Sequence, residues 1–199
     1  MAVASIPMLQ MQVAFVISLL GVYVGWRGVI ARMTGFYDLS GAVRYLLYGI
    51  VIGVFLALAV DQLILITIVE DSSTSAVSVP LGNLFALSLL IAAVESSLAL
   101  FLVGRPRVAS IRASPPFGWA LGLGLGSMQA AYLIVRLFDP GLAPLSPIAG
   151  FNPFSVAMAV LIALLASMGH ALPATWQGNQ LLGGSRTKPF LFSTLARAI

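Results

Sequence analysis

Five long apolar runs constrain the fold of this chain more than any other feature of its sequence. An α-helix needs about 20 apolar residues to cross a hydrocarbon core of about 30 Å. The runs reach that length, and they extend over about residues 8–26, 43–69, 81–103, 117–138 and 154–176. They lack the polar and apolar alternation of a membrane β-strand, so each must satisfy its backbone hydrogen bonds as a helix. The sequence therefore predicts an all-α, polytopic integral membrane bundle of about five transmembrane helices within residues 1–177.

Composition agrees with a chain that is solvated mainly by lipid. Hydrophobic residues make up 60% of the 199 residues and charged residues 8%, whereas a soluble domain carries about 25% charged residues. The ten basic and six acidic side chains are too scattered to form the basic stripe that binds nucleic acid. We therefore expect the lipid bilayer as the principal partner, a multi-pass location in the cell membrane, and no binding of nucleic acid.

Basic residues fall in alternate connecting segments, and this pattern predicts the orientation of the helices. Short cytoplasmic loops collect Lys and Arg. The basic segments contain Arg27, Arg32 and Arg44, then Arg105, Arg107 and Arg112, and finally Arg186, Lys188 and Arg197. The intervening loops, 70–79 and 139–152, contain no basic residue. The pattern predicts an outside N-terminus, an inside C-terminus and a basic cytoplasmic tail over 178–199, of which 189–199 either lies on the membrane surface or is solvated.

The chain lacks the residues that many metal and covalent sites need. It has no cysteine, and His170 is its only histidine. These two facts exclude thiol catalysis, cysteine-based zinc sites and a bis-histidine haem within one chain. The sequence also contains no P-loop, nucleophile elbow or metalloprotease motif. We expect no metal and no cofactor, and the sequence favours a protein that is not an enzyme.

Small residues recur at four-residue spacing on three of the predicted helices, two of which carry the candidate packing stripes. Gly118, Gly122 and Gly126 form one stripe, and Gly49 and Gly53 form another. This spacing lets helix backbones approach closely in lipid, where no hydrophobic effect drives helices together. The stripes either pack helices within the chain or contact a partner, which would be another membrane subunit, a second copy of the chain or a lipid.

Ionisable and amide side chains within the spans are the candidate functional residues, because each costs free energy in hydrocarbon. Glu95 in the third span and His170 in the fifth are predicted at about the same depth. They are the candidate catalytic residues, acting as general base and partner or as a proton relay, unless they only pin two helices together. Asp61, Gln129 and Ser127 are candidates for binding or relay. Interhelical hydrogen bonding is the alternative role for Gln129 and Ser127.

The order of features in the middle of the chain is similar to that of a known family. The stretch 92–97 is followed by the basic loop 105–112 and by the glycine-rich segment 118–129, and 44–49 resembles an earlier helix. Over about half of the chain, this order resembles the YhfC-like branch of the intramembrane glutamic endopeptidases, which are relatives of the CAAX-prenyl endopeptidases.

This resemblance implies an intramembrane peptidase in which Glu95 is the base and His170 is a late-helix histidine. The chain departs from the family pattern at four points. Ser96 stands where the family has a second Glu, and no Arg follows on that helix. The Gly-His-Gly type of element reads Gly126-Ser127-Met128, and Gln129 replaces an acid. Of the catalytic residues, the resemblance therefore carries over only Glu95 and His170.

Three classes of function remain open from the sequence. The first is a non-catalytic subunit or scaffold of a membrane complex, which the short loops and glycine stripes favour. The second is a small transport or substrate-binding module, which the polar side chains within the spans favour. The third is the intramembrane glutamic-type peptidase, which requires Glu95 and His170 to face one water-filled chamber near the cytoplasm.

Overall fold

The structure is a computed structural model that describes residues 6–33, 35, 38–65, 81–105, 113–142 and 148–198. Every regular element within those residues is helical. Five of the helices are long and apolar enough to cross a membrane, which confirms the predicted all-α class and the number of candidate spans. The predicted loop 70–79, the end of the second span at 66–69, and Arg107 and Arg112 lie outside the described residues.

The five long helices overlap the five predicted spans, and the fifth continues six residues past its predicted end at 176 into the predicted tail. They are α1 (Met8–Gly28), α2 (Leu39–Val60), α3 (Leu81–Val103), α4 (Ser114–Leu137) and α5 (Pro153–Leu182). A π-helical turn, Asp61–Leu65, continues α2, and short 3-10 turns cover Ile30–Arg32 and Pro140–Leu142. A sixth helix, α6 (Thr187–Ala198), follows α5.

Local sequence explains where two of the helices begin. The Asp38 carboxylate accepts hydrogen bonds from the backbone N–H groups of Ser40 and Gly41, so it caps α2. At the start of α5, Asn152 and Ser155 form a reciprocal capping box. Both arrangements satisfy N–H groups that have no partner in the first helical turn.

Helix α4 is the centre of the bundle, and its glycines make that position possible. A Cβ atom on Gly118, Gly122 or Gly126 would meet the backbone of α5. On a second side of the helix, a Cβ on Gly124 would meet the backbone of α2. Because glycine has no side chain, both neighbours approach α4 at backbone contact distance.

The glycines of α2 complete the same contact from the other side. A Cβ on Gly49 would meet the backbone at Leu121, and one on Gly53 would lie 2.9 Å from the Cβ of Met128. Both stripes singled out in the sequence therefore face other helices of the same chain.

Side chains at one end of the bundle tie four helices together. Trp119 Nε1 of α4 donates to the Gly25 carbonyl of α1 at 3.1 Å. The Tyr45 hydroxyl of α2 donates to the Leu102 carbonyl of α3 at 2.9 Å, and the Tyr45 ring stacks on Phe117 of α4. We call this end the basic end, because it carries the basic residues Arg27, Arg32, Arg44, Arg105, Arg186 and Lys188.

Helix α6 packs on the bundle, an arrangement that differs from both alternatives expected for 189–199. It runs back along α5, where the Ser193 hydroxyl donates to the Pro173 carbonyl at 3.3 Å and the Phe192 ring contacts Trp176. The turn before it contains Gly184 at φ +78, a conformation that favours glycine. At 12 residues, α6 is too short to cross a bilayer. An ion pair contributes to this position, because Arg197 in the last turn of α6 lies 2.7 Å from the buried carboxylate of Glu95.

Candidate functional site

The centre of the candidate site is the Glu95 carboxylate, which is 2% exposed. Oε1 lies 2.6 Å from His170 Nδ1 and 2.7 Å from Arg197 Nε, and Oε2 accepts a hydrogen bond from Gln129 Nε2 at 3.3 Å. We call these four residues the Glu95 cluster. Its members come from α3, α4, α5 and α6, so the site exists only when four helices have packed.

Helix geometry explains why these side chains meet. Glu95 is eight residues before the end of α3, and His170 is twelve residues before the end of α5, which places them about 12 Å and 18 Å from their helix ends. Arg197 lies ten residues into α6, about 15 Å along a helix that returns from the end of α5. All three positions are therefore at similar depth, well inside the spans.

The Arg197 side chain is 1% exposed, and each of its three nitrogen atoms lies near a group of the chain. Nη1 donates to the Ser96 hydroxyl at 2.8 Å, and Nη2 donates to the His170 carbonyl at 3.5 Å. The Nε hydrogen is not aimed at Glu95, so that contact is an ion pair without a hydrogen bond. Arg197 thus neutralises the buried carboxylate, as burial of an ion requires.

Sequence reasoning missed Arg197, because it was counted only as a basic residue of the tail. The available signal was electrostatic. Glu95 lies within an apolar span, and a carboxylate in hydrocarbon needs a cation. The stretch around Arg197 is apolar enough to pack beside the spans.

His170 contributes a second polar group to the same carboxylate oxygen. When Glu95 is ionised it can only accept, so Nδ1 carries the hydrogen in this contact. The Glu95 and Arg197 charges cancel within the cluster.

A cavity of about 260 Å³ adjoins the Glu95 cluster. All four cluster residues contribute to its wall, together with apolar and small side chains from α2, the π-turn, α3 and α6. Its lining consists of Val60, Ile64, Ser88, Ile91, Ala92, Glu95, Gln129, His170, Arg197 and Ala198. Because a water molecule takes about 30 Å³ in the liquid, this volume corresponds to about nine waters or one small organic molecule.

Asp61, a predicted binding or relay residue, lies outside the cluster. Its two oxygens face Arg136 of α4, with Oδ1 2.6 Å from Nε and Oδ2 2.8 Å from Nη2. The Asp61 side chain is 8% exposed and that of Arg136 is 36% exposed. This bidentate pair joins the π-turn of α2 to the last turn of α4 at the end opposite the basic end. The second member of the pair, Arg136, is not among the candidate residues predicted from the sequence.

The remaining two candidates, Gln129 and Ser127, both lie on α4, but only Gln129 contacts Glu95. Gln129 belongs to the cluster and lines the cavity. Ser127 is fully buried, and its hydroxyl donates to the Gly124 carbonyl of its own helix at 2.9 Å. The structure therefore brings together Glu95, His170 and Gln129, and leaves Asp61 and Ser127 elsewhere.

Within the residues that the structure describes, no three His, Cys, Asp or Glu side chains converge in a way that would hold a metal ion. The polar groups that face the cavity are instead one carboxylate, one imidazole, one amide and one guanidinium. The contacts that such a set can offer are hydrogen bonds and charge pairing.

Comparison with known proteins found no match among protein-family models, curated proteins or solved structures.

Proposed function

We propose that this chain is a multi-pass protein of the cell membrane that binds a small polar solute in the cavity beside the Glu95 cluster, as part of a transport or solute-binding activity. The observation that carries the proposal is the convergence of four polar side chains from four helices on one cavity at spanning depth. Buried charge in a membrane is costly, and pathways for solutes and protons are where it is usually found.

The chemistry of the cluster indicates the class of solute. The lining offers a neutralised Glu95 and Arg197 pair, the Gln129 amide and the His170 imidazole, and most of its other residues are apolar. A small neutral or zwitterionic molecule with both donors and acceptors fits such a site. A large or fully charged ligand does not, because the volume is about 260 Å³ and the ion pair is already balanced.

The peptidase alternative receives less support from the same geometry. A general base must hold the water it activates within hydrogen-bond reach. Here Oε1 of Glu95 already contacts His170 and Arg197, and Oε2 contacts Gln129. The carboxylate is thus engaged with the chain itself.

The glycine stripes give less support to the subunit or scaffold alternative than the sequence suggested. Its support included the bare glycine stripes, and these stripes pack α4 against α2 and α5 within the chain. The apolar side chains exposed on the outer surface are accounted for by lipid contact alone. In the same proposal, the basic end faces the cytoplasm, because it carries the positive residues.

A solute screen on purified protein tests the proposal. Thermal stability is measured in lipid nanodiscs with amino acids, small amides and polyols, since a ligand at 100 times its Kd stabilises by about 2.7 kcal/mol. A solute that stabilises the protein is then tested for uptake into proteoliposomes. Gln129→Leu is expected to abolish the stabilisation, and Gln62→Leu is the matched control, because Gln62 does not line the cavity.

Two results would contradict this proposal. One is a solute effect that survives equally in Gln129→Leu and Gln62→Leu, since that solute would bind elsewhere. The other is a stoichiometric partner protein in native mass spectrometry together with an empty screen, which would support the subunit alternative.

A further inference from the structure

A second concave site lies at the basic end, apart from the Glu95 cluster. It is a groove of about 420 Å³ between the end of α3 and the start of α6. Leu100, Phe101 and Phe190 are its apolar lining residues, and Arg105 and Arg186 are its charged ones. We call it the arginine groove. It shares no lining residue with the cavity of the Glu95 cluster.

The two arginines of this groove have positive charge that nothing in the described part of the chain neutralises. Arg105 lies over the Phe101 ring at 5.5 Å, and no described carboxylate forms an ion pair with either guanidinium. Both residues are exposed. Arg136 of α4 and Arg197 of α6 differ from them, because each forms an ion pair with a carboxylate.

The position of the groove along the membrane normal restricts what can fill it. Arg105 comes two residues after the end of α3, where a span meets the headgroup region. Phe101 is four residues earlier, about 6 Å deeper toward the hydrocarbon, and it is 67% exposed. Cationic groups at headgroup level above an exposed apolar wall match the two halves of a phospholipid.

We propose that the arginine groove binds one anionic glycerophospholipid. The guanidinium groups of Arg105 and Arg186 hold the phosphate, since the planar fork of arginine matches phosphate oxygens. An acyl chain lies along Leu100, Phe101 and Phe190. Because Arg105 belongs to the end of α3 and Arg186 precedes α6, the bound lipid joins these two elements and holds α6 against α3.

Native mass spectrometry of lipid retention tests this proposal without depending on the solute site. The protein is purified in mild detergent with equal amounts of phosphatidylglycerol and phosphatidylcholine, and bound lipids are counted. We expect one phosphatidylglycerol on the wild-type protein. Arg105→Gln combined with Arg186→Gln is expected to lower its retention at least tenfold, while Lys188→Gln, a basic residue of α6 outside the groove, leaves retention unchanged.

The wild-type comparison keeps the proposal testable even where the double variant fails to fold. Equal retention of the two lipids by the wild-type protein overturns it, and so does a folded double variant that retains phosphatidylglycerol as the Lys188→Gln control does. A competition arm identifies the source of the phosphate. Soluble glycerol phosphate should not displace the lipid at millimolar concentration, and full displacement would show a site for a free phosphate compound instead.

Discussion

Replacement of Arg197 by alanine is the sharpest test of how the bundle closes around its buried carboxylate. The substitution removes the cation 2.7 Å from Glu95 and leaves that carboxylate, which is 2% exposed, with His170 and Gln129 alone. It also removes the donors to the Ser96 hydroxyl and the His170 carbonyl. The expected result is a large loss of stability and release of α6 from α3.

The magnitude follows from the burial of both charges. Removing one partner of a buried ion pair costs about 3–5 kcal/mol. We expect the lower end, about 3 kcal/mol, because His170 and Gln129 still contact the Glu95 carboxylate. For a chain of this length, each kcal/mol lowers Tm by about 2–4 °C, so the expected fall is about 6–12 °C.

The assay is thermal unfolding in one fixed detergent or nanodisc composition, with Lys188→Ala as the control because Lys188 is exposed on the same helix. The double variant Glu95→Gln with Arg197→Met removes both charges and should recover to within about 1.5 kcal/mol of the wild-type protein. The reasoning is refuted if Arg197→Ala unfolds at the same temperature as the control. It is also refuted if the double variant loses as much stability as the two single changes added together.

Three further predictions concern other parts of the bundle. Gly122→Leu should prevent close packing of α4 on α5 and abolish the monodisperse folded species in gel filtration, whereas Gly82→Leu, with open space around it, should not. Asp61→Asn removes the ion pair between the π-turn and α4, and because the partner arginine is 36% exposed we expect a loss of only about 1 kcal/mol in thermal unfolding. At the start of α2, the hydrogen bond from the Ser40 hydroxyl lowers the pKa of Asp38. The Asp38 cap therefore stabilises the folded state at pH values above the ordinary pKa of a carboxyl group, and this stabilisation is lost as pH falls through the lowered pKa. The stability difference between wild type and Asp38→Ala, measured from about pH 6 to about pH 3, should therefore shrink as pH falls.

The helices could be predicted from the sequence because the requirement for them is local. A segment in hydrocarbon must satisfy its own backbone, so the length and polarity of each run are enough to place it. The depth of Glu95 and His170 followed from counting residues along their helices, and the structure places their side chains 2.6 Å apart. That part of the site needed no knowledge of how the helices are arranged around one another.

Arg197 could not be predicted in the same way, because its role depends on the direction in which α6 turns after α5. The turn at Gly184 sends α6 back along the bundle, and nothing local distinguishes that path from one along the membrane surface. The pairing of Asp61 with Arg136 depended likewise on which helix lies beside the π-turn. The order of helices around the bundle is a tertiary property, and it determines which carboxylate each of these two arginines contacts.

The central position of α4 has a consequence for how the chain enters the membrane. Of the five candidate spans, α4 has the lowest hydropathy, and 67% of its most apolar stretch is buried, against 28–33% in the others. An isolated glycine-rich segment of this kind gains little on leaving the aqueous channel of the insertion machinery for lipid. The glycines of α1 and α2, which are synthesised earlier, offer it a protein surface instead. We therefore expect α4 to partition into the bilayer together with α1 and α2. A bulky residue at Gly49 of α2 should then impair the insertion of α4.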